Sequence, residues 1–291
     1  MKAPPFRYVK PATLNECLSL LAAHGDEAQI LAGGQSLMPM LNLRLARPTI
    51  LIDINGLAEL DGIAEHADGI TVGAMTRHAD ILTPAPIQKR LPLLIEAGRH
   101  IAHVAIRSRG TLGGSLSLAD PAAEWPACAL ALNAEMELES NARGSRRVPA
   151  VNFFQGLYTT ARQPDELLTR VVFPTERVGG IHAFDEIARR HGDFAMAGIA
   201  LVANEIVPRV RGIKISLLGV ADRPVLAVHT MAVLEGSELS PSRISAAVEA
   251  LRQEIDPPDD PGCPTSYRRH IAGTLLERIL GRLMKELPHG A

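Results

Sequence analysis

Two short segments with adjacent glycines are the residues of this chain best suited to bind a ligand. They comprise Ala32, Gly33, Gly34, Gln35 and Ser36, and then Thr111, Leu112, Gly113, Gly114 and Ser115. Because glycine has no Cβ and tolerates positive φ, successive backbone N–H groups in such a segment can converge on an anion. Either segment alone is more typical of a tight turn, but the repeated pattern favours a nucleotide whose pyrophosphate is bound by backbone amides.

Other sequence signatures of catalysis or nucleotide binding do not occur. The chain has no G-x-G-x-x-G, no P-loop, no H-E-x-x-H and no G-x-S-x-G, and its histidines do not form ligand pairs on one helix face. Cys17, Cys128 and Cys263 are too far apart to predict a metal site or an iron–sulfur cluster. We expect three buried thiols in a reducing cytoplasm.

One carboxylate near the second glycine segment is a candidate ligand contact. Glu124 follows Asp120 and Pro121 and could accept hydrogen bonds from a ribose. A solvated loop carboxylate is an equally good interpretation of the same residue.

Length and composition narrow the classes of function. A chain of 291 residues predicts two domains. Its formal charge of −2 argues against nucleic acid as the main partner, and aromatic residues make up only 3% of the chain, which disfavours recognition by stacking. No run approaches the roughly 20 apolar residues of a membrane span, and no secretory signal is recognisable, so we expect a cytoplasmic protein.

The hydrophobic patterns predict mixed α and β structure in both parts of the chain. Buried strands are expected at 29–32, 49–54 and 167–173, an irregular glycine-rich stretch at 105–125 and a helix at 126–132. After a composition shift near 175–180, strands are expected at 182–188, 196–202 and 213–220, followed by helices at 240–254 and 267–287. In the last helix, Tyr267, Ile271, Leu275, Ile279 and Leu283 recur every four residues and predict a packing stripe.

Several longer motifs carry a resemblance to a known family. They are LAGGQSLMPMLNLRLARP (31–48), TVGAMTRHADI (71–81), IRSRGTLGGSLSLADPAAEWPA (106–127), DELLTRVVFP (165–174), ARRHGDFAMAGIA (188–200) and YRRHIAGTLLERIL (267–280). With these residues the chain resembles the FAD-binding medium subunits of molybdenum hydroxylases, the family of carbon monoxide dehydrogenase and xanthine dehydrogenase. The resemblance implies an α+β fold, with an FAD-binding domain of the para-cresol methylhydroxylase type at 1–177 and a smaller α+β domain at 178–291.

The resemblance also implies roles for individual residues. Both glycine segments would contact the FAD pyrophosphate, Glu124 the adenosine ribose, and Leu168 would lie against the cofactor. Phe184 and residues 189–194 fall where relatives approach the isoalloxazine ring. Some positions depart from the family pattern: Ser108 replaces a frequent Asn, and Asp185 and Glu186 stand where some relatives place a lysine.

The function implied by the resemblance is electron transfer. A molybdenum–pterin centre in a large partner and iron–sulfur clusters in a small partner would supply electrons to FAD on this chain, which would pass them to an external acceptor. No residue of this chain is then expected to act as acid, base or nucleophile, and the assembly implied is a dimer of heterotrimers. A stand-alone FAD-dependent oxidase of the same cofactor fold and a non-redox nucleotide-binding or scaffolding module are the alternatives.

Overall fold

The computed structural model describes residues 2–67, 69–174 and 180–286. The strands are β1 Arg7–Val9, β2 Ala28–Leu31, β3 Ile50–Asp53, β4 Ile63–His66, β5 Gly69–Gly73, β6 Glu135–Ser140, β7 Gly144–Pro149, β8 Phe154–Gly156, β9 Thr159–Thr160, β10 Glu166–Pro174, β11 Ile181–Ala188, β12 Ala195–Ala203, β13 Lys214–Leu218 and β14 Val225–Leu226. The predicted domain boundary between residues 177 and 178 lies outside the described residues.

The α-helices alternate with these strands in the first part of the chain and follow them in the second. They are α1 Leu14–His24, α2 Leu37–Asn42, α3 His78–Ile81, α4 Ala85–Arg90, α5 Pro92–His100, α6 Val104–Arg107, α7 Leu112–Leu118, α8 Glu124–Ala131, α9 Ala150–Phe153, α10 Val228–Leu234, α11 Pro241–Glu254 and α12 Thr265–Glu286. Among the described residues, no helix is both long and apolar enough to cross a membrane.

A small parallel sheet carries the first glycine segment. Its strand order is β1-β3-β2, and all four residues of the central strand β3 are buried. Helix α1 covers this sheet, and the Thr13 side chain caps the helix by accepting a hydrogen bond from the Glu16 amide at 3.2 Å. Because β2 and β3 run parallel, the segments that leave their carboxyl ends emerge at the same edge of the sheet.

An antiparallel sheet of order β4-β5-β10-β6-β7 forms the rest of the first part. Its central strand β10 pairs with β5 on one side and β6 on the other. Strand β6 alternates partly exposed and buried residues, because glutamates alternate with Met136 and Leu138 along it.

The prediction of an irregular stretch at 105–125 was wrong. Helices α6 and α7 lie within it, and α8 begins at Glu124. Glycine lowers helix propensity, but Leu112 and Leu116 bury their side chains in the core and the Thr111 hydroxyl caps α7 by accepting from the Gly114 amide at 3.1 Å. Tertiary packing therefore outweighs local propensity in this stretch.

The second part is an antiparallel sheet of order β11-β12-β13-β14 with α12 packed on it, and α11 packs against α10 and α12. The predicted stripe of α12 is correct except at its first position: Ile271, Leu275, Ile279 and Leu283 are buried, whereas Tyr267 is 47% exposed. Tyr267 lies in the first turn, beyond the edge of the sheet-facing cluster.

The two parts of the chain share a hydrophobic interface. Side chains on one face of the second sheet, including Phe184, Val202 and Leu218, belong to the same buried cluster as Trp125. Those on the other face, including Ile199, pack with α11 and α12. The period-2 alternation of β11 and β12 thus gives this sheet two apolar faces, and the architecture is the predicted α+β arrangement.

The buried stripe of α12 should dominate the stability of the second part. Leu275→Ala removes a fully buried side chain and should lower the free energy of unfolding by about 2–5 kcal/mol. The matched variant Glu277→Ala, at an exposed position two residues away, should change it by less than about 0.5 kcal/mol. Denaturant titrations check both values, and equal effects of the two variants would contradict the assignment of the stripe.

Candidate functional site

The first glycine segment turns sharply out of β2 with unpaired backbone amides. Gly34 has φ +71°, a conformation that favours glycine. The Gln35 side chain folds back and donates to the Gly33 carbonyl at 2.9 Å. Among the described residues, no acceptor binds the amides of Gly33, Gly34, Gln35 or Ser36. This segment therefore offers several adjacent N–H donors to a ligand.

The second glycine segment differs, because its amides are bonded within the protein. The Leu112 amide donates to the Thr76 carbonyl at 3.0 Å, and the Gly113 amide to the Ala74 carbonyl at 2.8 Å. The amides of Gly114 and Ser115 donate to the side chain and carbonyl of Thr111. These bonds anchor the segment, and Ser115 is a partly exposed residue with a hydroxyl.

The structure brings the two segments into contact. A Cβ on Gly33 would lie 2.3 Å from the Arg109 carbonyl oxygen and 2.7 Å from the Gly110 Cα, closer than any side chain could approach. A Cβ on Gly114 would lie 3.7 Å from the Ala32 Cβ. Residues separated by much of the first domain thus form one surface, and Gly33 is required for the closeness of the contact.

Sequence reasoning missed two polar residues at this surface. Asn55, just beyond β3, donates to the Ala32 carbonyl at 2.9 Å, and Arg77, just before α3, donates to the Asn55 side chain at 2.8 Å. The position of Asn55 after a strand parallel to β2 was the available signal. Arg77 lies in the 71–81 motif that carries the family resemblance, but that motif did not indicate a role for its side chain.

His78 stabilises the chain that leads into the second glycine segment. Its amide donates to the Gly110 carbonyl at 2.9 Å, and its buried ring accepts a hydrogen bond from the Trp125 indole at 2.8 Å. Burial, together with the nearby charges of Arg77 and Arg107, lowers the pKa of His78 to about 4. The ring is therefore neutral at pH 7.

The other two predicted site residues lie on α8 and β10, which both pack against α7. Leu168 is only 2% exposed and packs inside the core opposite Leu138. Glu124 begins α8, where burial and then repulsion by Glu186 raise its pKa to about 8. At pH 7 this carboxyl is mostly protonated, so it can donate a hydrogen bond as well as accept one.

The two acidic residues of β11 point in opposite directions. Asp185 forms an ion pair with Arg278 of α12 at 2.6 Å. Glu186 is buried and approaches His100 of α5 at 3.5 Å, and a hydrogen bond to Glu186 raises the pKa of His100. The two side chains lie on opposite faces of the strand, because successive residues of β11 point to alternate sides of the pleat.

The turn after β11 lies close to the chain that leads into the second glycine segment. A Cβ on Gly192 would lie 2.7 Å from the His103 ring, directly before α6. Phe194 is 70% exposed here. The Ser108 hydroxyl donates to the Ala105 carbonyl at 3.0 Å, one turn back in the same helix, so this departure from the family pattern is accommodated locally.

The described residues contain no group of three or more His, Cys, Asp or Glu side chains that could hold a metal ion. Cys17, Cys128 and Cys263 are buried free thiols.

Comparison with protein families matches both parts of the chain. Residues 4–176 match the family described as "FAD binding domain in molybdopterin dehydrogenase". Residues 182–283 match the family described as "CO dehydrogenase flavoprotein C-terminal domain".

Individual relatives and solved structures extend over nearly the full chain. The nicotine 6-hydroxylase medium subunit of Paenarthrobacter nicotinovorans is 38% identical over 280 residues, covering 96% of this chain and 98% of that protein. The structure of carbon monoxide dehydrogenase from Hydrogenophaga pseudoflava, lacking the Mo-pyranopterin moiety, superposes with a TM-score of 0.92 at 37% identity, covering 96% of each chain. Quinoline 2-oxidoreductase from Pseudomonas putida 86 gives a TM-score of 0.92 at 36% identity, covering 98% of this chain and 99% of that chain.

The lowered pKa of His78 predicts a specific loss of stability in acid. The folded ring titrates near pH 4 and an unfolded histidine near pH 6.5, so its contribution is present above pH 6.5 and lost as the pH falls towards 4. The loss by pH 4 should be about 3 kcal/mol. His78→Gln removes this titration, and denaturant unfolding followed by Trp125 fluorescence should show a shallower pH dependence than in the wild type.

The control for this comparison is His66→Gln, at an exposed histidine of β4. It should retain the wild-type pH dependence. Parallel curves for the wild type and His78→Gln between pH 4 and 7 would show that His78 is not the group responsible.

Proposed function

Since the chain belongs to the family of FAD-binding subunits of molybdopterin dehydrogenases, as its motifs predicted, we propose that it transfers electrons through FAD within a molybdenum hydroxylase complex. The chain is an oxidoreductase flavoprotein subunit of the medium-subunit class. The single observation that best supports a bound dinucleotide is the contact between the two glycine segments, which leaves the amides of residues 33–36 free beside it.

The residues present fit the pyrophosphate of FAD. Four adjacent amides without protein acceptors need a polar partner, and an anion satisfies them without a lysine. We propose that Ala32, Gly33, Gly34, Gln35 and Ser36 supply these main-chain donors. The second segment, Thr111, Leu112, Gly113, Gly114 and Ser115, would form the opposite wall, with Ser115 contributing a hydroxyl.

Glu124 and Leu168 complete the proposed cofactor site. The Glu124 carboxyl would meet a ribose hydroxyl, and its raised pKa allows it to act as donor at neutral pH. Leu168 would support the site from within the core, since its side chain is buried. Phe184 is also buried, whereas Phe194 is available on the surface beside α6.

FAD, when bound, can accept and release electrons singly or in pairs, which suits it to connect a two-electron donor to varied acceptors. The task of this chain is to bind the cofactor, fix its position and exclude competing reactions. No side chain needs to act on the organic substrate, and we assign none a catalytic role. The substrate and the external acceptor belong to the partner subunits and to the surrounding solution.

The partners follow from the family. Relatives such as the Hydrogenophaga pseudoflava protein are named as medium chains, a term that refers to larger and smaller companions. We propose a large molybdenum–pterin subunit and a small iron–sulfur subunit, two copies of each trimer forming a heterohexamer. Three buried free thiols support a reducing, cytoplasmic location.

We place the domain boundary between residues 177 and 178, after β10.

Composition of the purified complex tests the function directly. The native complex should contain this chain with two partner subunits, about one FAD per copy of the chain, molybdenum and iron. A single chain that oxidised a small organic substrate without partners would instead support the stand-alone oxidase. A colourless chain that took up no FAD would support a non-redox module.

Gly33→Ala should lower the FAD content of the purified complex while the chain still folds. The new Cβ would collide with the Arg109 carbonyl and force the two segments apart, weakening FAD binding by about tenfold or more. Gly281→Ala is the matched control, because no atom lies within 4 Å of the added Cβ. The FAD content of each purified complex, from its visible spectrum, checks the prediction. Equal FAD content in the two variants would contradict it.

The electron-transfer role predicts a separate defect in the FAD-depleted Gly33→Ala complex. After reduction with dithionite, its iron–sulfur absorption should recover more than about tenfold more slowly than in Gly281→Ala. The oxidant is whichever of NAD, a quinone, a cytochrome or oxygen reoxidises the wild-type complex fastest. Recovery at the wild-type rate without FAD would exclude this chain from the electron path.

A further inference from the structure

The Asn55 side chain uses both ends of its amide group. Its nitrogen donates to the Ala32 carbonyl at 2.9 Å and to Asp53 Oδ1 at 2.6 Å, and its oxygen accepts from Arg77 at 2.8 Å. A carboxylate on one side and a guanidinium on the other permit only this orientation of the amide. Asn55 is therefore a directed link rather than a space-filling residue.

Asp53 holds this link in place at the end of β3. Asp53 is buried, and the Tyr8 hydroxyl donates to its Oδ2. The backbone N–H of Asn55 donates to its Oδ1 at 2.9 Å. Burial alone would raise the pKa of Asp53, but the hydrogen bonds from Tyr8 and Asn55 outweigh it and lower the pKa. The carboxylate is thus ionised at neutral pH and fixed between two strands of the parallel sheet.

Arg77 continues the link to the second glycine segment. One of its terminal nitrogens donates to Asn55 and the other to the Arg109 carbonyl. That carbonyl is the group against which Gly33 packs. A continuous chain of hydrogen bonds therefore runs from the Ala32 carbonyl through Asn55 and Arg77 to Arg109.

The guanidinium of Arg77 also brings charge to the site. Both of its recorded acceptors are neutral oxygens, and none of the ion pairs formed by the described residues includes it. The ionised Asp53 lies beyond Asn55, so the guanidinium contacts no carboxylate directly, and it links the two glycine segments through Asn55 and the Arg109 carbonyl. Such a charge favours an anion at the free amides of the first segment.

We propose that Asn55 and Arg77 are positioning residues of the cofactor site: together they fix the spacing of the two glycine segments and add one positive charge behind the pyrophosphate. This inference rests on the proposed function. Neither residue needs to touch FAD, because Asn55 acts through Ala32 and Arg77 acts through Arg109. The site is then organised before the cofactor arrives, which reduces the ordering cost of binding.

The test is a double-mutant cycle on the whole complex, with FAD removed and titrated back. Asn55→Ala and Arg77→Gln should each weaken FAD binding by about tenfold to a hundredfold. Because both residues act in one chain of hydrogen bonds, the double variant should bind no more than about threefold more weakly than the worse single variant. Fully multiplicative losses would overturn the proposed link.

Asn55→Asp separates hydrogen bonding from shape. Aspartate has the same size but cannot donate to Ala32, and it places a second carboxylate beside Asp53. It should bind FAD no better than Asn55→Ala. Recovery of wild-type affinity in Asn55→Asp would show that only side-chain volume matters and would overturn the proposal.

Asn141→Ala is the matched control, since Asn141 is an exposed asparagine that donates to Ser19 in the same domain. It should bind FAD within about twofold of the wild type. Far-UV circular dichroism establishes folding of each variant, and Arg77→Lys, which keeps the charge but cannot span both oxygens, replaces any variant that fails to fold. A wild-type complex without FAD affinity would refute the proposed function itself, whereas wild-type affinity in Asn55→Ala and Arg77→Gln would refute only this inference.

Discussion

The close packing of Gly33 against the backbone at Arg109 and Gly110 is the constraint on which the candidate site depends. Two segments from distant parts of the chain can share one ligand only if their backbones approach without intervening side chains. The surrounding elements enforce this approach. The parallel sheet carries the first segment, while α7 and its bonds to the chain after β5 hold the second.

The site combines two kinds of backbone environment that have different physical consequences. The first segment leaves its donors free and is prepared to bind an anion, whereas the second has used its donors to fix its own position. The first segment thus has donors available for a ligand, and the second segment supports the site. In this arrangement the proposed binding of a dianionic group would depend on local amides and on Arg77 rather than on the net charge of −2.

Much of the fold could be predicted from the sequence, because its strands are apolar runs bounded by glycine or proline and its long helices carry clear stripes. The elements around α7 could not be predicted. Its two glycines are unfavourable in a helix, and the helix is stabilised by burial of Leu112 and Leu116. The two glycine segments were recognisable from their repeated sequence pattern, but the difference in their hydrogen bonding was not. Asn55 and Arg77 were missed because their importance arises from contacts between residues far apart in sequence.

The shared cluster that joins Trp125 to Phe184, Val202 and Leu218 limits how the two halves of the molecule can move. Rotation of one half against the other would expose this apolar surface to water, which opposes a hinge at the boundary. The apolar contact favours one arrangement of the two halves, so the spacing between the glycine segments and the second sheet is set when the chain folds.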